Sequence, residues 1–188
     1  MKKPLMICAI LIGVAGIASA APTLITFDEF PVGTAVSNQY APQGVIFSAA
    51  TFNLPVISMN TAMPNQPILR PDGGPSTYAG DFWIQFTAPA INVTFDSGFW
   101  DAQGVGQIDV YDPAMNLMAN LTNTTTGVNV TDLTGLGQVG YIYFNSVNDV
   151  AGADIDNLGF TPIPAPGAIL LGSLGMGIVS WLRRRKTL

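Results

Sequence analysis

Two adjacent segments of the chain alternate between apolar and polar residues, and this pattern is the strongest constraint on the fold. In the first segment Phe82, Ile84 and Phe86 would share one face of an extended strand, and residues 91–95 repeat the spacing. Side chains of a strand point alternately to opposite faces, so a period of two indicates a half-buried strand. The pattern predicts two antiparallel strands that cover a core on one side only.

The rest of residues 21–161 consists of short apolar runs separated by Gly, Pro, Asn and Asp, without an amphipathic helix of useful length. Residues 24–27 and 154–160 would be the first and last strands, and residues 107–111 and 117–121 would form a hairpin. Residues 60–80 are rich in Pro and Gly and predict a long loop. About eight to ten short strands without helices predict an all-β antiparallel β-sandwich of the jelly-roll type.

The N-terminal segment has the three parts of a secretory signal peptide. Lys2 and Lys3 form a positive region, residues 5–17 are apolar, and residues 18–20 offer a small-residue cleavage site. A membrane-anchoring first helix is the alternative, but the apolar run is shorter than the roughly 20 residues of a bilayer span. We therefore expect residues 1–20 to be a signal helix that signal peptidase removes after export.

The C-terminal segment, residues 162–188, is also divided into parts. A Pro-rich stretch is followed by residues 168–182, which carry no charge, and then by Arg183, Arg184, Arg185 and Lys186. A short apolar helix with a basic end is expected to stop in the inner membrane with the basic end inside. A plain membrane anchor is one interpretation of this segment.

The same segment resembles the PEP-CTERM sorting signal. The resemblance rests on Pro164, Ala165, Pro166, a Gly- and Leu-rich run, Arg183, Arg184 and Arg185. It departs from the family at Ala165, where Glu is usual. It implies recognition by an exosortase-like membrane protease, a transient stay in the inner membrane, and final location at the cell surface or outside the cell.

Charge is distributed very unevenly along the chain. All twelve acidic residues lie in residues 21–161, where Arg70 is the single basic residue, so this part has a net charge of −11. One arginine cannot neutralise a phosphate backbone, which excludes nucleic acid as a partner. The excess of carboxylates suits extracellular Ca²⁺, although it is also compatible with an ordinary acidic secreted protein.

Four carboxylates stand at the ends of the first and last strands, and we predict a structural calcium ion there. Asp28 and Glu29 follow the first strand, whereas Asp154 and Asp156 begin the last one. Terminal strands of such sandwiches often lie together, and converging carboxylates without a cation would resist ionisation. The alternative is that all four are solvated acids.

Catalysis is disfavoured by the residues that the chain lacks. It contains no histidine, and its single cysteine, Cys8, lies in the signal segment. This removes the usual nucleophile–histidine pairs and zinc sites. A glycosidase needs two carboxyl groups, and Glu29 with an Asp could supply them, but no neighbouring His or Lys would tune their pKa values. We expect a protein that is not an enzyme.

Aromatic residues beside polar ones suggest a sugar-binding surface, because aromatic faces with a few polar groups build many binding sites. The candidates are Tyr78, Trp83, Trp100 and Asp101, with Trp83 on the polar face of its strand. Trp100 as a core residue is the alternative.

The order of short motifs also resembles a domain that precedes PEP-CTERM tails. These motifs are residues 25–28, 44–47, 93–96 and 155–160. The resemblance implies a galactose-binding-like, carbohydrate-binding β-sandwich. The sequence as a whole predicts an exported, non-enzymatic surface or matrix protein that binds extracellular polysaccharide. A purely structural matrix component and a carbohydrate-active hydrolase are the alternatives.

Overall fold

The computed structural model describes residues 20–50, 53–60, 63, 65–72, 80–145, 154–164 and 175–177. Ala21–Pro162 forms one compact unit, and its described part is built almost entirely of antiparallel strands with a single 3₁₀ turn at Ala41–Gln43. The strands are β1 (Thr23–Ile25), β2 (Val45–Ala49), β3 (Val56–Ser58), β4 (Ile68–Arg70), β5 (Asp81–Trp100), β6 (Gln107–Tyr111), β7 (Leu117–Thr122), β8 (Gly127–Asp132), β9 (Val139–Asn145) and β10 (Asp154–Pro162).

One strand, β5, runs for 20 residues through the whole unit. The two alternating segments that predicted separate strands are therefore a single strand, which is a correction. The chain continues through Pro89 because the register with β9 shifts between Gln85 and Ala90. At such an irregularity the missing N–H of proline leaves no gap in the ladder. Asn92 follows with φ 53°, and the buried side of the strand changes from even to odd residues there.

The two halves of β5 belong to two layers. The first half pairs with β2 and β9, and β6 and β7 extend that layer beyond β9. The second half pairs with β10 and β8, and β10 also pairs with β1 and β4. Rings from the two layers meet between them: Phe95 lies 5.9 Å from Phe144, and Phe86 lies 5.0 Å from Phe160. The all-β antiparallel sandwich predicted from the sequence is confirmed.

The segment expected to be a long loop contains β4, which the sequence did not predict. Ile68 and Leu69 are fully buried, and Leu69 pairs with Ile57 of β3 and Ile155 of β10. Pro67 and Pro71 flank the strand Ile68–Arg70, and three residues between two prolines are too few to indicate a strand from the sequence.

The expected hairpin of β6 and β7 is confirmed by their antiparallel register.

The first and last strands of the unit pair directly, with Ile25 opposite Leu158 and Thr23 opposite Phe160. After β1 the chain turns at Phe27, which has φ 61° and is fully buried. Its ring packs edge-on against Tyr40 at 5.4 Å. This packing fixes the turn that carries Asp28 and Glu29.

The terminal segments are largely outside the described residues. This applies to the predicted signal peptide apart from Ala20, and to Ala165, Pro166 and the Arg183–Arg185 cluster of the sorting motif. Pro164 is half-buried just after β10, and residues 175–177 are helical. Within the described ranges no helix combines the length and the apolar character needed to cross a bilayer.

We expect Gly106→Ala to destabilise the sandwich, because a Cβ atom there would lie 2.0 Å from the fully buried Trp100 ring. Overpacking of this kind costs about 1–3 kcal/mol of unfolding free energy. Chemical denaturation of the purified protein measures the effect. Gly135→Ala is the matched control, because nothing lies within 4 Å of the added atom. Equal unfolding midpoints for the two variants would contradict the packing of Trp100.

Candidate functional site

The outer side of the layer formed by β2, β5, β9, β6 and β7 carries a group of half-buried aromatic rings. Trp83 stacks on Tyr143 with ring centroids 4.7 Å apart and an interplanar angle of 29°, and Tyr111 lies 5.6 Å from Trp83. Their strand neighbours Phe82 and Phe144 point to the opposite side and fill the core. The rings of Trp83, Tyr111 and Tyr143, here called the aromatic cluster, therefore face away from the core.

A continuous row of side chains crosses this layer at the level of Trp83. The pairing registers align one residue from each of the five strands, in the order Ser48, Trp83, Tyr143, Asp109 and Asn120. Neighbouring strands are about 4.8 Å apart, so five strands extend the row over about 19 Å. This row, here called the outer row, combines two aromatic rings with a hydroxyl, a carboxylate and an amide.

The carboxylate of the outer row is held by neutral groups. Asp109 is 9% exposed, and both of its oxygens accept from Gln107 Nε2, at 3.1 and 3.0 Å. Asn120 Nδ2 also donates to Asp109 Oδ1. These amide donors satisfy the carboxylate oxygens and carry no charge of their own.

A second carboxylate positions the central ring. Tyr143 Oη donates to Asp81 Oδ2 at 3.0 Å. Burial, and then the hydrogen bond and negative charge of Asp81, raise the pKa of Tyr143 to about 12. The phenol therefore stays neutral at physiological pH and keeps its donated bond. This bond fixes the Tyr143 ring against Trp83.

This arrangement suits the recognition of sugars. Pyranose rings present apolar C–H faces that pack on aromatic rings, together with hydroxyl groups that exchange hydrogen bonds with amides and carboxylates. The outer row supplies both kinds of contact on rigid strands, and strand positions hold their side chains more precisely than loops do.

The sequence prediction identified one member of this surface. Trp83 belongs to the aromatic cluster, and Asp101 is exposed in the bend after β5. Trp100 is instead fully buried, stacked on Phe144 at 6.0 Å, and its Nε1 donates to Ser97 Oγ. Since no face of that ring is left for a sugar, Trp100 is a core residue. Tyr78 lies outside the described residues.

The sequence analysis missed Tyr111, Tyr143, Asp81 and Asp109. One signal could have found part of the cluster. Tyr143 alternates with the apolar residues of β9 and must point away from the core if Phe144 points into it. The contact between Tyr143, Trp83 and Tyr111 depends on the register of three strands, which the sequence does not display.

The four acids predicted to bind calcium have different neighbours in the structure. Tyr40 Oη donates to Glu29 at 3.1 Å, and Asn60 Nδ2 donates to Asp154 Oδ2. Asp28 and Asp156 are close enough for their charges to interact. In the described part of the chain, no group of three or more acidic, histidine or cysteine residues has the geometry of a metal site.

Asp156 is the most strongly perturbed of these acids. Its side chain is 1% exposed, and its pKa rises from the ordinary 3.8 to about 6. Burial is the main cause, and the negative charges of Asp96 and Asp28 add to it. The backbone N–H of Asn157 donates to Asp156 Oδ1 at 2.7 Å and opposes the shift. Ionised Asp156 therefore destabilises the folded state.

No family model matches the sequence, and no curated protein is similar to it. Among solved structures, a family 29 carbohydrate-binding module is similar over 74% of this chain and 91% of its own, at 15% identity and a TM-score of 0.40. The cleaved adhesin domain of Lys-gingipain is similar over 75% and 99%, at 14% identity and a TM-score of 0.43. An arabinose-bound α-L-arabinofuranosidase is similar over 78% and 27%, at 12% identity and a TM-score of 0.41. At these TM-scores the likenesses assign neither a family nor a ligand to this chain.

We expect Asp156→Asn to stabilise the protein at neutral pH. The folded protein binds its extra proton between about pH 4 and 6, so wild-type stability falls as the pH rises through this window. A shift of this size corresponds to at most about 3 kcal/mol. In thermal melts in EDTA, the variant should have a higher melting temperature than wild type at pH 7. The difference between the two melting temperatures should shrink at acidic pH.

Asp132→Asn is the control for that experiment. Asp132 is exposed, and hydrogen bonds from Thr134 lower its pKa, so removing its charge brings no gain at neutral pH. Repeating the melts in millimolar calcium tests the ion predicted at the four acids Asp28, Glu29, Asp154 and Asp156. A bound ion would stabilise by about 2.7 kcal/mol at a hundredfold excess over Kd. Identical melts in calcium and EDTA would leave no support for the ion.

Proposed function

We propose that the domain is a non-enzymatic glycan-binding module and that the outer row is its binding surface. The observation that carries the proposal is the stacked pair Trp83 and Tyr143, flanked on the same face by Tyr111 and by the amide-held carboxylate of Asp109. Extracellular polysaccharide is the partner that this combination of rings and polar groups fits.

The length of the outer row favours a chain-like ligand. The outer row crosses five strands, and the residues at its two ends, Ser48 and Asn120, are both exposed and polar. A polysaccharide lying across the strands would meet hydroxyl and amide groups at either end and aromatic rings in the middle. Aromatic anchors surrounded by a polar rim are typical of surfaces where a few residues supply most of the affinity.

The arrangement around Glu29 gives no support to the hydrolase alternative. Its carboxylate is exposed and accepts a hydrogen bond from Tyr40 Oη. Burial and the Glu29 charge raise the Tyr40 pKa, so the phenol remains a neutral donor. A glycosidase needs a carboxyl group that donates a proton to the leaving oxygen and a second carboxyl group across the sugar, whereas the Glu29 contact is that of an acceptor. We therefore keep the non-enzymatic interpretation.

For location, we propose export followed by sorting through an exosortase-like membrane protease, with the domain displayed at the cell surface or in the extracellular matrix. The support is the sequence of the two termini, from the signal-like residues 1–20 to the Pro164–Pro166 motif and the final Arg cluster.

We expect the mature protein to end near Pro164. Mass spectrometry of protein extracted from the cell surface measures its C-terminus directly. Recovery of intact peptides covering residues 183–188 would contradict cleavage and favour a plain membrane anchor.

We expect Trp83→Ala to weaken glycan binding about 10- to 30-fold, since truncating a tryptophan anchor costs about 2 kcal/mol. A glycan array identifies the ligand, and titration calorimetry with a soluble oligosaccharide of that type measures the loss. Phe99→Ala is the matched control, because Phe99 is an exposed aromatic residue of β5 in the other layer.

Two results would contradict the proposal. Equal losses in the two variants would show that the aromatic cluster is not the binding surface. A folded wild-type protein that binds no glycan would favour the structural alternative, in which cross-strand aromatic pairs only stabilise the sheet.

A further inference from the structure

Strand β7 ends its layer, and the outer edge of this strand is open. Among the described strands β6 is its only partner, and the described part of the chain makes no other backbone hydrogen bond to residues 117–122. The opposite edge of the same layer is covered, because residues 37–40 accept backbone hydrogen bonds from Val45 and Phe47 of β2. β7 therefore presents a row of N–H and C=O groups to which a further strand can bond.

β7 also lacks the features that usually protect an edge strand. Its six residues include no charge, no proline and no glycine, and residues 119–122 pair with β6 without a register shift. β8, which ends the other layer, begins at Gly127, ends at Asp132 and has an irregular register with β5. At the start of β7, Leu117 is 57% exposed, and Met115 in the preceding turn is 48% exposed. Since charges, prolines and bulges are what keep sheet edges from pairing, β7 is suited to pair with another strand.

The side chains of β7 match those of an identical antiparallel strand. Ala119 and Leu121 pack against the core and are partly buried. If Asn120 lies opposite Asn120 of a second copy, each Ala119 stands opposite the Leu121 of the other copy, so a small side chain meets a large one on the inner side. On the outer side Met118 stands opposite Thr122. Directly opposed side chains interact across an antiparallel pair, and here no like charges meet.

The net charge of the domain bears on the choice of partner. Residues 21–161 carry a charge of −11, so two copies repel each other and a contact between them requires a neutral strand. β7 meets this requirement. A strongly basic partner would gain no charge pairing from the side chains of β7, whereas an identical strand supplies matching neutral ones. A second copy is therefore the partner that fits this edge.

We propose that two copies of this chain pair antiparallel through β7, with Asn120 at the two-fold axis. The interface is isologous, because the same strand serves both copies. Each copy contributes β2, β5, β9, β6 and β7 to one continuous layer. A two-fold axis perpendicular to the sheet keeps both outer rows on the same side and places them end to end, over about 43 Å. The inference goes beyond glycan binding and does not rest on it.

Sedimentation equilibrium of the full chain in density-matched mild detergent, without any glycan, tests the pairing. One strand pair is a small interface, so we expect a dimer with a Kd of roughly 10–100 μM. Raising the salt concentration should strengthen the dimer, because salt screens the repulsion between two negative domains. A chain that stays monomeric up to about 1 mM, or a dimer that salt weakens, would overturn the proposal.

A charge placed on β7 should weaken the dimer. Thr122→Glu puts one carboxylate per copy at the exposed end of the pairing edge, and we expect the Kd of the dimer to rise about tenfold. Gln43→Glu is the matched control, because it adds the same charge at an exposed position of the 3₁₀ turn and should change the Kd much less. Unfolding midpoints of both variants check that they fold. Equal Kd values for the two variants would assign the association to another surface, such as the apolar C-terminal segment, and overturn the proposal.

Cysteine cross-linking tests the register independently of any added charge. In a chain that carries Cys8→Ser, Asn120→Cys places two thiols opposite each other, with Cα atoms about 5 Å apart, which permits a disulfide. Thr122→Cys is exposed on the same face of β7, but in this register its two copies are about 14 Å apart and cannot bridge. We expect a disulfide-linked dimer with Asn120→Cys alone. Equal yields at the two positions would overturn the proposed pairing.

Discussion

The sandwich depends on β5, because this one strand belongs to both layers. Its first half holds Trp83 outward and Phe82 inward, and its second half carries Phe95 and Trp100 into the core. Irregularities near Asn92 and between Ser97 and Trp100 change which residues face inward. Without β5 each layer would lose a strand besides β5 itself, since β2 and β8 have β5 as their only described strand partner within the sheet.

A second constraint is the near absence of cations, and amide side chains take their place as partners of carboxylates. Asp109 accepts from Asn120, Asp96 from Asn157, and Asp112 from Asn116. The Asn116 bonds lower the pKa of Asp112. Amide side chains satisfy the hydrogen bonds of the carboxylates but do not offset their charge, so the net negative charge of the domain is not reduced by these contacts. The raised pKa of Asp156 is one consequence, because its neighbours add repulsion to the cost of burial.

The sequence carried enough information for the class of fold and for the outward position of one residue of the aromatic cluster. Strict alternation located both halves of β5 and placed Trp83 on the outer side. It could not reveal that the halves are continuous, because Pro89 usually ends a strand and its effect here depends on a register shift. Trp100 reached the core through a bulge, which no periodicity shows. β4 was hidden because three residues between prolines are too few to display a pattern.

The aromatic cluster illustrates the same limit in three dimensions. Tyr111 and Tyr143 come from β6 and β9, and only their register with β5 brings them to Trp83. Cross-strand neighbours depend on pairing between distant segments, and a shift by one residue would move each ring to the other face. Sequence patterns give the face that a residue occupies on its own strand, whereas the neighbours it meets there are a property of the assembled sheet.

The pairing of β10 has a mechanical consequence. Between Asp154 and Pro162 this strand lies antiparallel against the second half of β5, and β1 pairs with it as well. In a domain tethered beyond Pro162 and held by a ligand on the outer row, a pulling force enters along the axis of β10. Hydrogen bonds loaded along the strands share the force and must break together, whereas bonds at a peeling end break singly. A tether at this end would therefore load the β5–β10 pair along its strands, where the hydrogen bonds of the pair resist together.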